Sequence, residues 1–386
     1  MTTYDWIVVG GGFTGSALAY ELSKNFKVLL LEKDVRADNA TVYSYGGLAY
    51  WSGTTSLTRQ LGREGIELHR NLEAELDADT EFRELDLLLT IDIDDNPVTV
   101  AKDFERFAIQ PEILNVSEAC QIELLLNRDA IAGVLKLPHG QVNAQKMTLA
   151  YQQALVRNGG KIEYEEVTNF VRQQDEIRGV VTLHNTYHAA NTVVCAGGLT
   201  HSLLKKAGIA NQTYFTHADV IKTEPVDLQL NSIVMPARQK RFALEAIGKT
   251  LEELAWDNPD NIVKKSILDP GVAQLKDGSL FLGQISAIAT NPHYTPDIVT
   301  AQTQIRQAIA PILPDLAHIS GTCYHCLVAF SDNGIATIGN LNLKGLYVFS
   351  GFTSTIVYAP PLARHFAAWV SGEDNPILQQ LNLTNI

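Results

Sequence analysis

A glycine-rich stretch near the N-terminus constrains the fold more than any other part of the chain. The apolar run Trp6–Val9 predicts a buried parallel strand, and Gly10, Gly12 and Gly15 follow it in the spacing G-x-G-x-x-G. The first glycine allows a tight turn, the second allows the backbone to approach a pyrophosphate, and the third allows a helix to lie close to the strand. This spacing predicts a dinucleotide-binding turn.

The residues after this turn complete the predicted unit. Residues 14–24 have the apolar spacing of a helix, and a second apolar run, Val28–Leu31, ends in Glu32. The start of the helix offers free N–H groups and a partial positive charge to phosphates. Glu32 is placed to accept hydrogen bonds from an adenosine ribose, and its charge disfavours a 2′-phosphate, so NADP is not expected. The alternative is a glycine-rich turn that binds no ligand.

Length and charge limit the class of protein. The chain has 386 residues, enough for two compact domains, and a formal net charge of −13 at pH 7. This charge argues against nucleic acid and against an anionic membrane surface, because both require a basic face. No apolar run reaches the roughly 18 residues of a membrane span, and no export signal or disulfide framework is recognised. A cytoplasmic protein is expected.

Hydrophobic periodicity predicts the remaining elements. Helices are predicted at 57–76, 147–157, 231–266, 299–312 and 361–370. Strands are predicted at 85–93, 134–137, 161–164, 167–173, 178–184, 192–195, 215–224, 279–289 and 346–350. Residues 34–56 are predicted to be a loop, because they are rich in Gly, Ser, Thr and Tyr, and residues 351–358 are predicted to be a second loop.

Four segments, taken in order, resemble one family of proteins. They are VVGGGFTG with Glu32, NATVYSYGGL at 39–48, TVVCAGG at 192–198, and FSDNGIATIG at 330–339 with LYVFSGFTSTIVYAPPLA at 346–363. Together they resemble the superfamily of flavin-dependent D-amino-acid, glycine and sarcosine oxidases. The resemblance covers nearly the whole chain, and the order of the segments makes it more specific than any single motif.

The resemblance implies an α/β protein, α+β overall, with a Rossmann-like FAD-binding domain of the glutathione-reductase type. This domain is expected from residues 1–50, 145–215 and 315–386, and a mostly antiparallel substrate domain from 51–144 and 216–314. FAD is the implied cofactor. The residues implied to bind it are Gly10, Gly12, Phe13, Thr14, Gly15, Glu32, Lys33, Thr41, Ser44, Gly46, Gly47, Val167, Ala196, Gly197, Gly198, Gly351, Thr353, Ser354, Thr355 and Ile356.

Two of these assignments carry a specific expectation from the family. Val167 is expected beside the adenine, which it would bond through its backbone. The 350–357 loop is expected to place backbone N–H groups near the flavin C2 carbonyl, where donors favour the reduced flavin because negative charge develops at N1 and O2. The alternative for this loop is a plain connection between a strand and a helix.

The sequence departs from the family where the substrate carboxylate is usually held. An arginine is expected five residues before the aspartate that matches Asp332, and Leu327 stands there instead. An apolar residue cannot replace the fork of donors that a guanidinium offers to a carboxylate. Either Arg59, Arg238 or Arg241 serves instead, or the substrate is not a simple amino acid.

The run Cys323-Tyr324-His325-Cys326 is a second departure. No further pair completes a zinc site, so no metal is expected. Sarcosine oxidases attach the flavin through a cysteine in this segment, and His325 occupies that position here, one residue before Cys326. Both residue types can attach to a flavin 8α carbon, but neither cysteine is in register, so a non-covalent FAD is expected. The alternative is a buried strand with two inert thiols.

Four residues are candidates to line the substrate pocket: His217, Tyr324, His325 and Tyr358. Because a neutral amine can release hydride directly to flavin N5, a histidine can orient the substrate as well as move protons. The sequence favours an FAD-dependent oxidoreductase that acts on a C–N bond of a small amine or amino acid, with oxygen or another acceptor. Oxidation of a 2-hydroxy acid and a flavoprotein without its own substrate oxidation are the alternatives. A monomer and a homo-oligomer are both compatible with the sequence.

Overall fold

The computed structural model describes residues 3–251, 255–256 and 265–381. The strands are β1 (Thr3–Val9), β2 (Val28–Glu32), β3 (Gly47–Leu48), β4 (Arg83–Asp92), β5 (Glu112–Leu114), β6 (Ile131–Gln141), β7 (Lys161–Tyr164), β8 (Val167–Gln173), β9 (Glu176–Thr182), β10 (Thr186–Val194), β11 (Thr213–Thr223), β12 (Ser232–Pro236), β13 (Ser266–Gln274), β14 (Leu280–Ala287), β15 (Gly321–Ser331), β16 (Thr337–Asn340) and β17 (Leu346–Ser350). The α-helices are α1 (Phe13–Ser23), α2 (Ser56–Leu76), α3 (Pro97–Lys102), α4 (Val116–Ile122), α5 (Ala144–Arg157), α6 (Thr200–Lys206), α7 (Arg241–Lys249), α8 (Ile298–Ile309), α9 (Thr355–Val370) and α10 (Pro376–Gln380).

A mainly parallel sheet is built around β1. Within the described residues its strand order is β16-β17-β10-β1-β2-β7, and the β8–β9 pair extends it through β10. Strands β7, β2, β1, β10 and β17 run parallel to one another. Trp6 and Val8 pack into one apolar cluster with α1, α5 and α9, while Ile7 and Val9 pack into another on the opposite face. Burial on both faces explains why β1 is a continuous apolar run rather than an alternating one.

A second sheet is mostly antiparallel. In the described part of the chain its order is β15-β11-β14-β13-β12-β4-β6-β3, with β5 also paired to β6. The one parallel pair among these ladders joins β4 to β12. Helices α4 and α8 cover an apolar cluster on this sheet that contains Leu88, Val134 and Ile305. The expected fold class, a Rossmann-like unit combined with a mostly antiparallel sheet, is confirmed.

The two sheets divide the chain in a way that bears on the predicted domains. Strand β15 lies within the segment 315–386 assigned to the FAD-binding domain, yet it pairs with β11 in the second sheet. Helix α2 lies within the segment 51–144 assigned to the substrate domain, yet Leu61 and Leu72 pack against the parallel-sheet layer. The domain boundaries themselves stay a prediction.

Several stretches differ from the secondary structure expected from sequence. The predicted helix at 231–266 is wrong at its start, because Ser232–Pro236 is a strand that pairs with β4 and β13. Its end includes residues 252–254 and 257–264, which lie outside the described residues. The loop expected at 351–358 ends earlier, since α9 begins at Thr355. Strands β5, β13 and β16 have no counterpart among the predicted strands, and a buried strand was only the alternative for residues 323–326 of β15, because pairing partners rather than local periodicity define these strands.

Two consecutive prolines inside α9 explain why that helix was predicted to begin late. Pro360 and Pro361 have no N–H group, so the carbonyls of Ile356 and Val357 lose their partners within the helix. The buried ring of His69 supplies the missing donor, with Nε2 2.7 Å from the Ile356 oxygen. Burial lowers the pKa of His69 to about 4, so the ring is neutral and donates from Nε2. Helix α2 thus replaces a hydrogen bond that α9 cannot make.

Gly65, one turn before His69, allows this contact. A Cβ atom at Gly65 would lie 2.2 Å from the Val357 oxygen, closer than any side chain can approach a backbone atom. The backbones of the two helices can therefore approach this closely only because Gly65 has no side chain. Because α9 begins at Thr355, this contact also fixes the segment 351–355 that precedes the first turn.

We expect His69→Leu to destabilise the protein by about 1–3 kcal/mol, because the Ile356 carbonyl would stay buried without a donor. His69→Gln retains an N–H group at nearly the same reach and should recover most of this loss. Denaturant unfolding of both variants measures the difference. Equal stability of the Leu variant and the wild type would show that the contact contributes nothing.

Acid should also weaken the fold through its buried histidines. His69 and His139 have pKa values lowered by burial to about 4 and about 3, against an unfolded value near 6.5. Below pH 6.5 these histidines bind protons in the unfolded chain but stay neutral in the folded chain. Their contribution to the free energy of unfolding is therefore fully present above pH 6.5 and is lost as the pH falls toward 4. For His69 alone the loss reaches roughly 3 kcal/mol. His69→Gln should flatten this acid limb in unfolding curves recorded from pH 7 to 4, while exposed His318→Gln serves as the control.

Candidate active site

A cleft of about 810 Å³ extends from the carboxyl ends of the parallel strands to β15 of the second sheet. On one side it is lined by the turn after β1, the end of β2 and the turn after β10. On the other side it is lined by residues 325–329 of β15 and by the loop 290–293. Ligands of open α/β sheets bind at the carboxyl ends of the strands, so this is the expected location of a dinucleotide.

The glycines after β1 do two different things. Gly10 has φ +107°, and a Cβ there would lie 2.5 Å from the Cys195 oxygen, while a Cβ at Gly15 would lie 1.9 Å from the Gly10 oxygen. These two glycines are needed for backbone packing. Gly12 is different, because the one heavy atom within 4 Å of a Cβ there is Thr41 Oγ1 at 3.3 Å, and Gly12 lines the cleft. The space beside Gly12 is therefore available to a ligand.

The N-terminus of α1 opens onto the same space. Gly12 is the N-cap residue of α1 and has no side chain with which to cap the helix. The first turn of α1 carries no acidic residue. Thr41 accepts a hydrogen bond from the Phe13 N–H at 3.1 Å, which ties the second predicted motif to this helix start. A helix start of this kind favours phosphate. The turn thus fits a dinucleotide pyrophosphate.

Glu32 stands at the end of β2, where a ribose would be recognised. Its Oε2 accepts the Gly11 N–H at 2.6 Å, and its Oε1 accepts the Asp34 N–H at 3.1 Å. Each carboxylate oxygen keeps a second lone pair for a ribose hydroxyl. The side chain is buried and cannot swing away from the turn, so its charge is fixed beside the cleft.

The small residues after β10 allow the two sheets to meet. Gly197 has φ +55° with open space around its Cβ position, whereas a Cβ at Gly198 would lie 2.5 Å from the Leu327 Cβ. Leu327 therefore packs against this turn. In the described residues β15 ends the strand order of its sheet, so one edge has no partner strand. That free edge explains why consecutive residues, from His325 to Ala329, all line the cleft.

The segment before α9 closes the cleft from a third direction. Gly351 has φ +70° and Ser354 is left-handed at φ +51°, so the backbone reverses sharply between β17 and α9. The Thr353 N–H donates to the Ile335 oxygen at 2.8 Å, and no side chain caps the helix at Ser354. Free N–H groups at the first turn of α9 thus adjoin Gly351 and Thr355, which line the cleft.

Most of the residues predicted to bind the cofactor line this cleft. Those that do are Gly10, Gly12, Phe13, Thr14, Glu32, Lys33, Thr41, Val167, Ala196, Gly197, Gly198, Gly351 and Thr355. Gly15, Ser44, Gly46, Gly47, Thr353, Ser354 and Ile356 are not among the lining residues. Gly15, Thr353, Ser354 and Ile356 adjoin lining residues in sequence, so they act on the cleft through the backbone that they shape, whereas no lining residue adjoins Ser44, Gly46 or Gly47.

Among the predicted catalytic residues, His325 alone lines the cleft. His217 lies behind it, with Nδ1 2.9 Å from His325 Nε2. Tyr324 points to the opposite face of the sheet and stacks on Tyr43 at 4.5 Å between ring centroids. Tyr358 is buried in the apolar cluster under the parallel sheet. The structure therefore brings the two histidines together and separates the two tyrosines from them.

Asp219 contacts His325 on the side away from His217, and it was not predicted. Its Oδ1 lies 2.7 Å from His325 Nδ1, and at the far end His217 Nε2 lies 3.2 Å from the Ala289 oxygen. Burial and the neighbouring His325 lower the pKa of His217 to about 4. The pattern His217-x-Asp219 within a predicted strand places both side chains on one face, and this alternation could have pointed to Asp219. The lining loop 290–293 and the helix α6 carry no comparable sequence pattern.

The three arginines proposed to replace the missing carboxylate anchor are engaged elsewhere. Arg59 donates to the carbonyls of Gly53 and Arg106, Arg238 pairs with Asp95, and Arg241 pairs with Glu245. None of them lines the cleft.

Cys326 does line the cleft, but burial raises the pKa of its thiol to about 12, so the nucleophilic thiolate is disfavoured. Within the described residues no cluster of His, Cys, Asp and Glu is arranged to hold a metal ion. No helix in that part of the chain is both long and apolar enough to cross a membrane.

Comparison with known proteins identifies the class that this fold and cleft define. The family model described as FAD dependent oxidoreductase (DAO) matches residues 5–369. The chain belongs to this family, and FAD is its cofactor. The crystal structure of glycine oxidase from Geobacillus kaustophilus superposes with a TM-score of 0.81 and 20% identity over 100% of both chains, which shows the shared fold.

Two relatives with a named activity match this chain over only part of their own length. The chain is similar to 4-methylaminobutanoate oxidase (formaldehyde-forming) of Paenarthrobacter nicotinovorans, with 24% identity over 94% of this chain and 43% of that protein. Monomeric sarcosine oxidase of Streptomyces avermitilis is 30% identical over 54% of this chain and 55% of that protein. The chain spans about half the length of these relatives.

Gly12→Val should abolish FAD binding without unfolding the protein. The valine side chain would fill the open space beside the turn and meet little else in the folded chain. Flavin absorbance of the purified protein measures the bound cofactor, and thermal unfolding of the flavin-free forms provides the control for folding. A yellow Gly12→Val protein with full flavin content would contradict the assigned position of the pyrophosphate.

FAD should be released when the protein is denatured. Both ring nitrogens of His325 are engaged in hydrogen bonds, and the Cys326 thiol is held protonated, so neither offers a free nucleophile. Acid precipitation followed by a denaturing gel tests this, with flavin fluorescence expected in the supernatant. A fluorescent protein band would overturn the expectation, and Cys326→Ser would then identify the attachment.

Proposed function

We propose that the protein oxidises a C–N bond of a small amine or amino acid to an imine, which water then hydrolyses. The observation that carries this proposal is the single cleft that joins the dinucleotide turn to the free edge of β15. FAD, when bound, supplies the hydride acceptor N5. The names of the relatives support an amine as substrate, because methylaminobutanoate, sarcosine and glycine all carry the nitrogen at the oxidised bond.

We assign the cofactor to the first side of the cleft. Gly12 and the N–H groups that start α1 bind the pyrophosphate, and Glu32 accepts from the ribose hydroxyls. Val167, at the start of β8, lies next to the adenine. The free N–H groups that start α9 face the flavin ring and stabilise negative charge on it. The structure supports these roles by placing Gly12, Glu32, Val167 and Thr355 along one continuous cleft.

The substrate side is formed by His325, by the loop 290–293 and by Trp256, all of which line the cleft. No arginine is among the described lining residues. The lysines that line the cleft, Lys33, Lys205 and Lys206, follow Glu32 or end helix α6. Helix α6 contacts both β8 of the first sheet and β11 of the second, and a lysine ammonium offers a point charge rather than a fork of donors. A substrate carboxylate would therefore find no forked donor beside His325.

This absence predicts the order of substrates. Glycine and D-alanine should be poor, because a carboxylate without a charge-assisted partner forfeits about 1.5–3 kcal/mol. That range corresponds to a kcat/KM about tenfold to several hundredfold lower than in a site with the arginine. Bulkier or uncharged amines that bind through aromatic side chains should not lose this binding free energy.

A substrate panel under anaerobic conditions tests both the reaction and the order. Bleaching of the flavin by amines supports C–N oxidation, whereas bleaching only by 2-hydroxy acids contradicts it. Turnover of glycine or D-alanine with kcat/KM above about 10⁴ M⁻¹s⁻¹ would show that another cation holds the carboxylate. Arg59→Ala, Arg238→Ala and Arg241→Ala would then locate that cation.

Four features of the proposed enzyme extend beyond the site. The reduced cofactor passes its electrons to oxygen or another acceptor. The FAD-binding domain comprises residues 1–50, 145–215 and 315–386, and the substrate domain comprises the rest. The four free cysteines support a reducing compartment such as the cytoplasm. The chain acts as a monomer or a homo-oligomer.

A further inference from the structure

The loop 289–294, which follows β14, wraps around His217. The Ala289 oxygen lies 3.2 Å from His217 Nε2, and the Asn291 backbone also hydrogen-bonds to this ring. The Tyr294 ring packs edge-on against His217, with 5.3 Å between ring centroids. Residues 290–293 of the same loop line the cleft. The buried ring of His217 is thus the anchor of a cleft wall.

The register of β11 and β15 connects this anchor to Asp219. His217 and Asp219 are two residues apart on β11 and share a face, and Asp219 pairs directly with His325 of β15. His325 therefore contacts Asp219 across the ladder and His217 along the diagonal. A single line of contacts runs from Asp219 through both rings to the loop.

The protons that these contacts require can be counted. The two ends of the line are a carbonyl oxygen and a carboxylate oxygen, and both accept. Three contacts therefore need three protons, while two neutral imidazole rings supply two. The third is a proton shared between the rings and the Asp219 carboxyl group, and the whole unit has a net charge of zero. Without Asp219 the line loses its end acceptor, and His325 Nδ1 is left without a partner.

We propose that Asp219 is a positioning residue that holds the loop 289–294 against the cleft by completing this line of hydrogen bonds through His325 and His217. It touches neither the cleft nor the substrate. The effect on substrate binding rests on the amine-oxidase function proposed above, whereas the position of the loop does not. Asp219 thus determines the shape of the substrate side from behind it.

Substitutions at position 219 separate hydrogen bonding from charge. An asparagine can donate from its NH₂ group to His325 Nδ1, which completes the line with both rings neutral. A leucine of similar size can neither donate nor accept. Thr216→Val is the matched control, because Thr216 lies on the opposite face of the same strand and its buried hydroxyl has no partner.

Hydrogen exchange of the flavin-loaded protein, read for residues 289–294 by mass spectrometry, is the test. Asp219→Leu and His217→Leu should each accelerate exchange there about tenfold or more, while Asp219→Asn and Thr216→Val stay close to the wild type. With the best amine from the panel, Asp219→Leu should lower kcat/KM roughly 10- to 100-fold, mainly through KM. Unchanged exchange in Asp219→Leu, or equal acceleration in Asp219→Asn, would overturn the proposal.

A measurement on the unmodified protein decides the case where Asp219→Leu does not fold. Ring ¹⁵N spectra of the flavin-loaded wild type should show His217 neutral and protonated at Nε2, with His217→Asn used for assignment. Protonation at Nδ1 in a neutral His217 ring would break the line and refute the proposal. Normal exchange and ring spectra together with no amine turnover would refute the proposed function alone.

Discussion

The structure depends on a place where three backbone segments meet without side chains between them. Gly10 lies against the Cys195 oxygen at the ends of β1 and β10, and Gly15 brings α1 against the Gly10 oxygen. Any Cβ at either glycine would collide with backbone, which cannot yield as a flexible side chain can. This contact fixes the helix start over the strand ends, and so it creates the free N–H groups and the open space at Gly12 that a pyrophosphate requires.

Two other walls of the cleft depend on contacts between residues that are distant in sequence. Pro360 deprives the Ile356 carbonyl of its helical donor, and His69 supplies one from a separate helix. At Gly198 the absence of a side chain lets Leu327 pack directly on the turn after β10, which joins the second sheet to the first. In both cases the local structure contacts a residue distant in sequence, so the cleft cannot be built by its own segments alone.

This dependence explains the division of roles among the candidate residues. The cofactor side consists largely of backbone, whose N–H groups and turns are shaped by glycines. The proposed substrate side consists of side chains on the edge strand β15 and on a loop, and behind it His325 contacts Asp219 and His217. Substitutions in the first group should alter flavin binding directly, whereas those in the second should alter selectivity, because side chains set the shape that a substrate meets.

The sequence identifies the strand–turn–helix–strand unit, its acidic end at Glu32 and the family, because these depend on local spacing and on the order of motifs along the chain. It missed β13, placed a helix over β12 and began α9 too late, because partner strands and His69 override local preference there. The meeting of polar side chains in the site depends instead on how distant strands pair. Asp219 and His325 are 106 residues apart and become neighbours through one strand pairing, and no local pattern specifies such a register.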